Sequence, residues 1–343
     1  MSCVMTINKQ GKVIDYDIFE SYIKSAKKMT YEAVNDILMR DIVAPGYEPF
    51  ADTLKEMNEL AHILRKEKMS RGYIDFDLDE PEIIQDEQGR AIDIVRVERE
   101  DGEKLIEDFM IAANETVASH IYNMDLPFIY RVHGKPNTEK IEDFTNLLKI
   151  LGYQLQTKVY DLTPITMQHI LKELDDKPEF TILSSMLLRS MKKAEYSKEN
   201  IGHFGLASKA YTHFTSPIRR FPDLTVHRLL KKYLVEKDFS MHTIDYLNTS
   251  LVQIAEHSSE REVAAQQAER DVADMKMAEY MESHIGEIYD AIIDSVTNYG
   301  FYVELPNLVE GLVHVNSLKG DYYEYVPDLL SLIGKSTKKT YRI

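Results

Sequence analysis

The sequence predicts an α+β fold: a large helix-rich unit over residues 1–283, followed by a small all-strand unit over 284–343. Three observations point there. Stretches with apolar residues at three- and four-residue spacing outnumber alternating ones, two alternating stretches turn back through glycine-containing loops, and helical spacing stops after Ser283.

The chain opens with SCVMTINKQGKVIDYDIFESYIK, whose alternation predicts two strands joined by a turn between Asn8 and Lys12. Helical spacing follows over about 31–39 and 51–67, the second with Leu54, Met57, Leu60, Ala61 and Leu64 on one face. DEQGR at 86–90 predicts a second hairpin. The next helix carries Ile106, Phe109, Met110, Ala113 and Val117 as its buried stripe, and an extended PFIYRVHGKP and several helices lead to about residue 195. A long helix is predicted from about 242 to 283, with Leu247, Leu251, Ile254, Ala265, Ala268, Val272 and Met275 as a stripe and Glu269 beside it. Short alternating runs close the chain, EIYDAIIDSVTNYGFYVEL and VEGLVHVNSL.

With 343 residues and 44% hydrophobic content, the chain can bury a sizeable core. No apolar run approaches the roughly 18 residues of a membrane span, and no signal-peptide pattern stands at the N-terminus. The single cysteine, Cys3, makes no internal disulfide, so a cytoplasmic setting is expected. A net charge of −16 opposes non-specific nucleic-acid binding over the whole surface. Charge is unevenly spread, however. Residues 203–232 hold six Lys/Arg against one acid, Asp223, together with His203, His213 and His227.

Within that window, YTHFTSPIRRFPDLTVHR (211–228) has the chemistry of a phosphodiester site. Ser216-Pro217 favours the start of a helix or turn, leaving backbone N–H groups near the guanidinium groups of Arg219 and Arg220. Arginine suits two-pronged contact with phosphate oxygens. His213 and His227 read as structural or phosphate-facing, since no second His or Cys sits at metal-ligand spacing. Asp75, Asp77 and Asp79 alternate along DFDLDE with Glu80 beside them. They form either a solvent face or, in principle, a seat for a hard cation such as Mg²⁺.

HFGLASKAYTHFTSPIRRFPDLTVHRLL (203–230) resembles the signature of the bacterial exoribonucleases of the RNase II / RNase R (RNB) family, nearer to the R type. RGYIDFDLDEPE, LIEDFMIAANE and AERDVADMKMAEYM extend the likeness over nearly the whole chain. Residues 298–303 and 310–314 resemble the first three strands of an OB-fold RNA-binding domain of the ribosomal-protein type. The fold this implies is the C-terminal part of an RNB catalytic domain, a mixed sheet with long helices, followed by an incomplete OB-type β-barrel that stops before its last two strands.

The activity implied by the resemblance is hydrolytic, processive, Mg²⁺-dependent removal of nucleotides from single-stranded RNA 3′ ends, releasing nucleoside 5′-monophosphates. Arg219 aligns with a residue at the scissile phosphate, and Glu269 and Glu107 with carboxylates at the terminal ribose. Apart from the alignment, Glu107 reads equally as a helix N-terminal charge and Glu269 as half of an i,i+4 pair. Asn114, seven residues from Glu107, shares its helix face. Phe76 aligns with a base-stacking aromatic, core packing being the equal alternative, and Tyr31 is a further RNA-channel candidate. Arg220, His213 and Ser216 complete the expected phosphate-facing set. Tyr299, Phe301 and His314 are expected to meet bases, unless Phe301 fills the barrel. The family's metal-binding aspartates align upstream of residue 1, so this chain alone is expected to be inactive and to hold no metal. RNA binding without catalysis is the alternative reading, and exposed sheet edges allow self-association.

Overall fold

The computed structural model describes residues 1–74, 80–154, 162–177 and 180–342. Strands β1 (Ser2–Ile7) and β2 (Val13–Phe19) form an antiparallel hairpin, followed by helices α1 (Tyr31–Arg40) and α2 (Ala51–Ser70). A second hairpin, β3 (Glu80–Gln85) and β4 (Ala91–Val97), leads into α3 (Asp101–Asn123). Strand β5 (Tyr130–Val132) precedes α4 (Thr138–Ile150), α5 (Pro164–Leu174) and α6 (Phe180–Ser190), then pairs with β6 (Glu195–Ser197). Next come α7 (Phe221–Leu230), continued by a π-turn over 231–235, and α8 (Met241–Glu282).

Both early hairpins arise locally. Asn8 Oδ1 accepts the N–H groups of Gln10 and Lys12, each at 3.0 Å, and Asp86 Oδ1 accepts those of Gln88 and Arg90, each at 2.9 Å. These are Asx turns, in which a short polar side chain stands in for backbone. Gly11 follows at φ 78°, where a Cβ would lie 2.7 Å from Glu67 Cβ and 2.9 Å from the Ile63 carbonyl, so α2 can pass close only to glycine.

The main core lies around β5 and β6. Val117, Ala118 and Ile121 of α3, Phe128 to Tyr130, Val226, Leu229 and Leu230 of α7, and Leu247, Leu251 and Ala255 of α8 form one buried cluster. Helices α4, α5 and α6 bury a second around Phe144, Met167, Ile170 and Leu183, and α1 and α2 a third around Ile37 and Leu54. The named ladders are all antiparallel; a parallel bridge between His133 and His203 supplies the mixed character.

Helix α8 departs from expectation in its second half. Its buried residues are Thr243, Leu247, Leu251 and Ala255, whereas Ala265, Ala268, Val272 and Met275 are exposed. After Ala255 the helix leaves the core; Ser259 accepts the Tyr196 N–H and Glu262 pairs with Arg131, and beyond them the hold is the β3–β4 hairpin, where Lys276 donates to the Gly89 carbonyl and Glu279 accepts from the Ala91 N–H. Apolar spacing continues there without a surface to bury it.

The terminal unit consists of β7 (Ile292–Thr297), β8 (Gly300–Glu304) and β9 (Glu310–His314) in one antiparallel sheet and β10 (Tyr323–Val326), β11 (Ser331–Gly334) and β12 (Thr340–Arg342) in another. Val296, Phe301, Tyr323 and Leu332 make their common core. No ladder joins the two sheets among the described residues, so the barrel is open, as expected. No helix is long and apolar enough to cross a membrane.

Candidate nucleic-acid interface

The 211–214 segment is tied down from three sides. Arg131 N–H donates to the Tyr211 carbonyl (2.9 Å), and the Thr212 hydroxyl to the Ile129 carbonyl (2.7 Å). Asn114 of α3, 1% exposed, donates through Nδ2 to the Tyr211 hydroxyl and accepts the Phe214 N–H at Oδ1, both at 2.9 Å. His227 stacks on Phe214 with ring centroids 4.6 Å apart and bonds through Nε2 to the Phe214 carbonyl, which makes it structural.

The chain then turns sharply at Ser216-Pro217. The Ser216 carbonyl accepts the N–H groups of Arg219 (3.3 Å) and Arg220 (3.1 Å). Asp223, in the first turn of α7 and fully buried, accepts the Ser216 N–H (2.7 Å) and an Arg220 Nη2 proton (2.8 Å) on one oxygen. Ser216 thus contributes backbone, not a side-chain cap. Arg220 is committed inward, while Arg219 is exposed with no ion pair to a described residue, beside the fully exposed Ile218. Thr215 Oγ1, Arg220 Nε and the second Asp223 oxygen are buried without partners, so the turn holds unspent polar capacity beneath it.

The neighbouring histidines are not cations. Burial, assisted by Arg220, Arg131, His203 and Arg219, lowers the His213 pKa to about 2, and burial beside His133 and Arg131 lowers that of His203 to about 3. His213 bonds through Nδ1 to the Tyr196 hydroxyl (2.8 Å). His213 is thus a neutral imidazole bonded at Nδ1, which adds no positive charge to the turn. Arg131 lies 4.7 Å over the Tyr196 ring and pairs with Glu262 of α8. Glu269 stands two helical turns beyond Glu262, hence on the same face about 10 Å along. It is exposed, not set against a buried stripe, and no described side chain pairs with it.

Helix α3 supplies the other wall. Glu107 accepts at Oε1 from the Tyr73 hydroxyl (2.9 Å) and Lys68 (3.3 Å), and at Oε2 from Arg99 (2.9 Å). Burial alone would raise its pKa, but Lys68, Tyr73 and Arg99 outweigh that and hold the carboxyl below its usual range. Glu107 is thus an ionised acceptor, and three donors leave room for about one more on its roughly four lone-pair sites. Lys68, 5% exposed, sits 4.0 Å over the Tyr73 ring and 2.8 Å from Asp108 Oδ1. That Asp108 oxygen has no hydrogen bond of good direction, so the contact is charge attraction, with Arg65 Nε bonding the other oxygen at 3.0 Å. Burial pushes Tyr211 up to about 12, with Glu115 and Glu107 adding and Asn114 and Arg220 opposing, which places wall and turn in one electrostatic neighbourhood.

The remaining candidates divide. Tyr31 opens α1, 51% exposed, at a cavity of about 820 Å³ lined by Val34, Phe50, Leu54, Met57 and Leu105. Tyr299 (44% exposed) and the exposed His314 lie at the ends of β8 and β9, and His314 Nδ1 accepts the Asn316 N–H (3.2 Å). Phe301 is corrected: it is 5% exposed and stacks on Tyr341 at 4.9 Å, because strand alternation turns it into the core. Phe76, Asp75, Asp77 and Asp79 lie outside the described residues. Among the described residues, no three or more His, Cys, Asp or Glu are grouped to hold a metal ion. Asp223, Lys68, Tyr73, Arg131 and Glu262 were not singled out from sequence. Only Lys68 had a signal, a cation continuing the Leu54, Ala61, Leu64 stripe.

Comparison with known proteins agrees with this geometry. The RNB domain family matches residues 1–236, and the S1 RNA binding domain family matches 282–339. Ribonuclease R 1 of Lactococcus lactis is 46% identical over 343 residues, covering 100% of this chain and 42% of the relative. Ribonuclease R of Thermotoga maritima is 45% identical over 346 residues, covering 100% of this chain and 48% of the relative. The chain therefore spans less than half the length of these relatives. Among solved structures, Mycoplasma genitalium RNase R in complex with ribose-methylated single-stranded RNA superposes with a TM-score of 0.91 at 29% identity, covering 99% of this chain and 53% of the other.

Two outcomes are expected. Asp223→Ala strands Arg220 and the Ser216 N–H, and urea unfolding should show a loss of about 3–5 kcal/mol, the cost of breaking a buried pair. A loss under about 1 kcal/mol would mean that the turn does not depend on Asp223. The second concerns pH. The unfolded chain protonates His203 and His213 near their ordinary 6.5, the folded chain only near 3 and 2, so the unfolded state binds more protons between those limits. Stability should fall from pH 6.5 towards 5, above the carboxylate range, by up to about 1.4 kcal/mol per pH unit for each histidine. His213→Gln should make that slope shallower, His120, His133 and His227 being lowered in the same direction; an unchanged slope would show that His213 is not held neutral.

Proposed function

This chain belongs to the RNB family of RNA-degrading exoribonucleases, and we propose that it forms the RNA-end-binding and phosphate-contacting part of a hydrolytic, processive 3′→5′ exoribonuclease acting on single-stranded RNA and releasing nucleoside 5′-monophosphates. One observation carries this reading: Arg219 is an exposed guanidinium without a described ion-pair partner, mounted on a turn that Asp223 and Asn114 fix from beneath. A side chain so held is pre-positioned for charge that develops on a phosphate during hydrolysis, where it has more effect than on ground-state binding. Glu107 retains acceptor capacity for a ribose hydroxyl, the group that marks RNA. Glu269, free on α8, is the second such acceptor.

Mg²⁺ is proposed for the intact enzyme. Its ligands must come from residues 75–79 or from outside this sequence, so no step here is routed through it. The lack of a ligand group among the described residues favours a second reading for the chain alone, RNA binding without hydrolysis. In an active enzyme containing this sequence, Arg219→Ala is expected to lower turnover by roughly 10²–10³ with little change in RNA affinity. Wild-type turnover would remove Arg219 from the reaction. The 343-residue chain itself should bind single-stranded RNA yet release no mononucleotide with or without Mg²⁺. Release would point to a working ligand set, with Asp75, Asp77 and Asp79 the first to substitute.

A further inference from the structure

The C-terminal end of α3 carries a pocket remote from the arginine turn. Tyr122 stands fifteen residues beyond Glu107 on α3, about 22 Å along the helix. There α3, β5, the residues that follow β6 and the first turns of α8 enclose a cavity of about 220 Å³. Three aromatic rings line it. Tyr122, half-exposed, meets Tyr130 edge to face with centroids 6.4 Å apart, and Phe128 meets Tyr130 at 5.4 Å. Leu126, Pro127 and Ile244 add apolar wall against which an aliphatic chain can lie.

The polar groups of the pocket favour positive charge. Tyr130 is 4% exposed, and its hydroxyl has no hydrogen-bond partner among the described residues. Burial raises the pKa of that hydroxyl, with Tyr122, Asp125, Tyr233 and Glu199 adding, so it stays neutral and keeps its oxygen free to accept. Tyr130 pairs with Ser197 at the end of β6, which brings Lys198 and Glu199 to the rim. Asp125 comes from the other side, fixed just beyond α3 by a left-handed φ of 54° and by donating its N–H to the Tyr122 carbonyl (3.1 Å). It is exposed, and no described side chain pairs with it. The negative end of the α3 dipole adds to the same field. Lys198 is the cation already in the pocket, and it is loosely held, its Nζ lying 3.4 Å from both Glu199 Oε1 and Asn248 Oδ1.

We propose that this pocket binds a small aliphatic primary amine, its ammonium donating to the Tyr130 hydroxyl oxygen and the Asp125 carboxylate beside the Tyr122 ring, and its carbon chain lying along Leu126, Pro127 and Ile244. A cation gains at once from the rings, the carboxylates and the helix end, whereas an anion is repelled by all three and a neutral molecule uses only the hydroxyl and the apolar wall. A primary ammonium suits these acceptors because it brings three N–H donors. A free amine is favoured over a lysine of a protein partner because Lys198 and Glu199 stand at the rim, where a partner's main chain would have to sit. The assignment is independent of the RNA reading.

The test is isothermal titration calorimetry of putrescine into the 343-residue chain, in enough salt to screen exposed charge. Its neutral relative n-butanol and a short glycine peptide with one central lysine serve as separate arms. Tyr130→Phe removes only an oxygen that holds no bond in the free protein, and binding should weaken about tenfold, the effect of one hydrogen bond to a charged group. Asp125→Asn should weaken it about threefold, as for an exposed charge. Lys198→Gln should tighten it by about the same factor, since the ammonium it removes competes for the pocket. If Tyr130→Phe lowers the melting temperature, the two charge substitutions decide, because neither touches the core. An absence of putrescine binding, n-butanol binding as tightly, or putrescine binding that none of the three substitutions alters would overturn the site. A lysine peptide that binds as tightly as putrescine would overturn its assignment to a small amine.

Discussion

The buried amide of Asn114 is the constraint from which the rest of the interface follows. Its two ends bond two residues of one non-helical segment, the Tyr211 hydroxyl and the Phe214 N–H, in a place water does not reach. Losing it would leave both groups unsatisfied, which costs more than the bonds themselves contribute. Because Asn114 lies two helical turns from Glu107 on α3, the same interaction sets the acidic wall and the arginine turn in one frame. Asp223 carries that frame across Ser216-Pro217 to Arg220, and Arg219 is what remains pointing outward.

Charge pairing in this region separates structure from chemistry. Arg65, Lys68, Arg71, Arg131 and Arg220 each face a carboxylate, and most of these pairs are substantially buried. Pairs of that kind hold position and exert little net field outside themselves, since each charge is offset within a few ångströms. An exposed cation without such a partner, at the tip of a braced turn, acts on whatever arrives from solvent. The same logic applies to Glu269, whose neighbour Glu262 is neutralised by Arg131 while Glu269 is not.

What the sequence made legible was chiefly local. The hairpins at 8–12 and 86–90 rest on a side chain bonding backbone two and four residues on, and α2 rests on 3,4 spacing; α3 is a helix as expected, but of its expected stripe only Val117 is buried and Ile106 is exposed, the buried face running through Leu105, Ile111, Ala112 and Ala118. The phosphate turn was visible because its residues are contiguous. Glu107's partners were not, since Lys68 and Tyr73 come from 39 and 34 residues away and their pairing depends on how α2 packs on α3. His213 looked like a phosphate ligand because its sequence neighbours are basic, and only burial against Tyr196 shows it neutral. Phe301 and the far half of α8 failed for opposite reasons: alternation alone does not say which face of a small open barrel is inside, and apolar spacing alone does not say whether a core reaches that far.

Helix α8 extends this frame beyond the core. Its exposed second half is anchored at the helix midpoint by the Glu262 pair with Arg131 and near the C-terminal end by Lys276 and Glu279 on the β3–β4 hairpin. Seventeen residues between Glu262 and Glu279 span about 25 Å. With anchors at both ends, the exposed middle needs no core to stay straight, and surface bonds such as Gln267 to Asp271 (2.9 Å) support it locally. An exposed helix braced in this way acts as a spacer: the distance between the arginine turn and the β3–β4 hairpin is set by backbone geometry and not by a compressible interface.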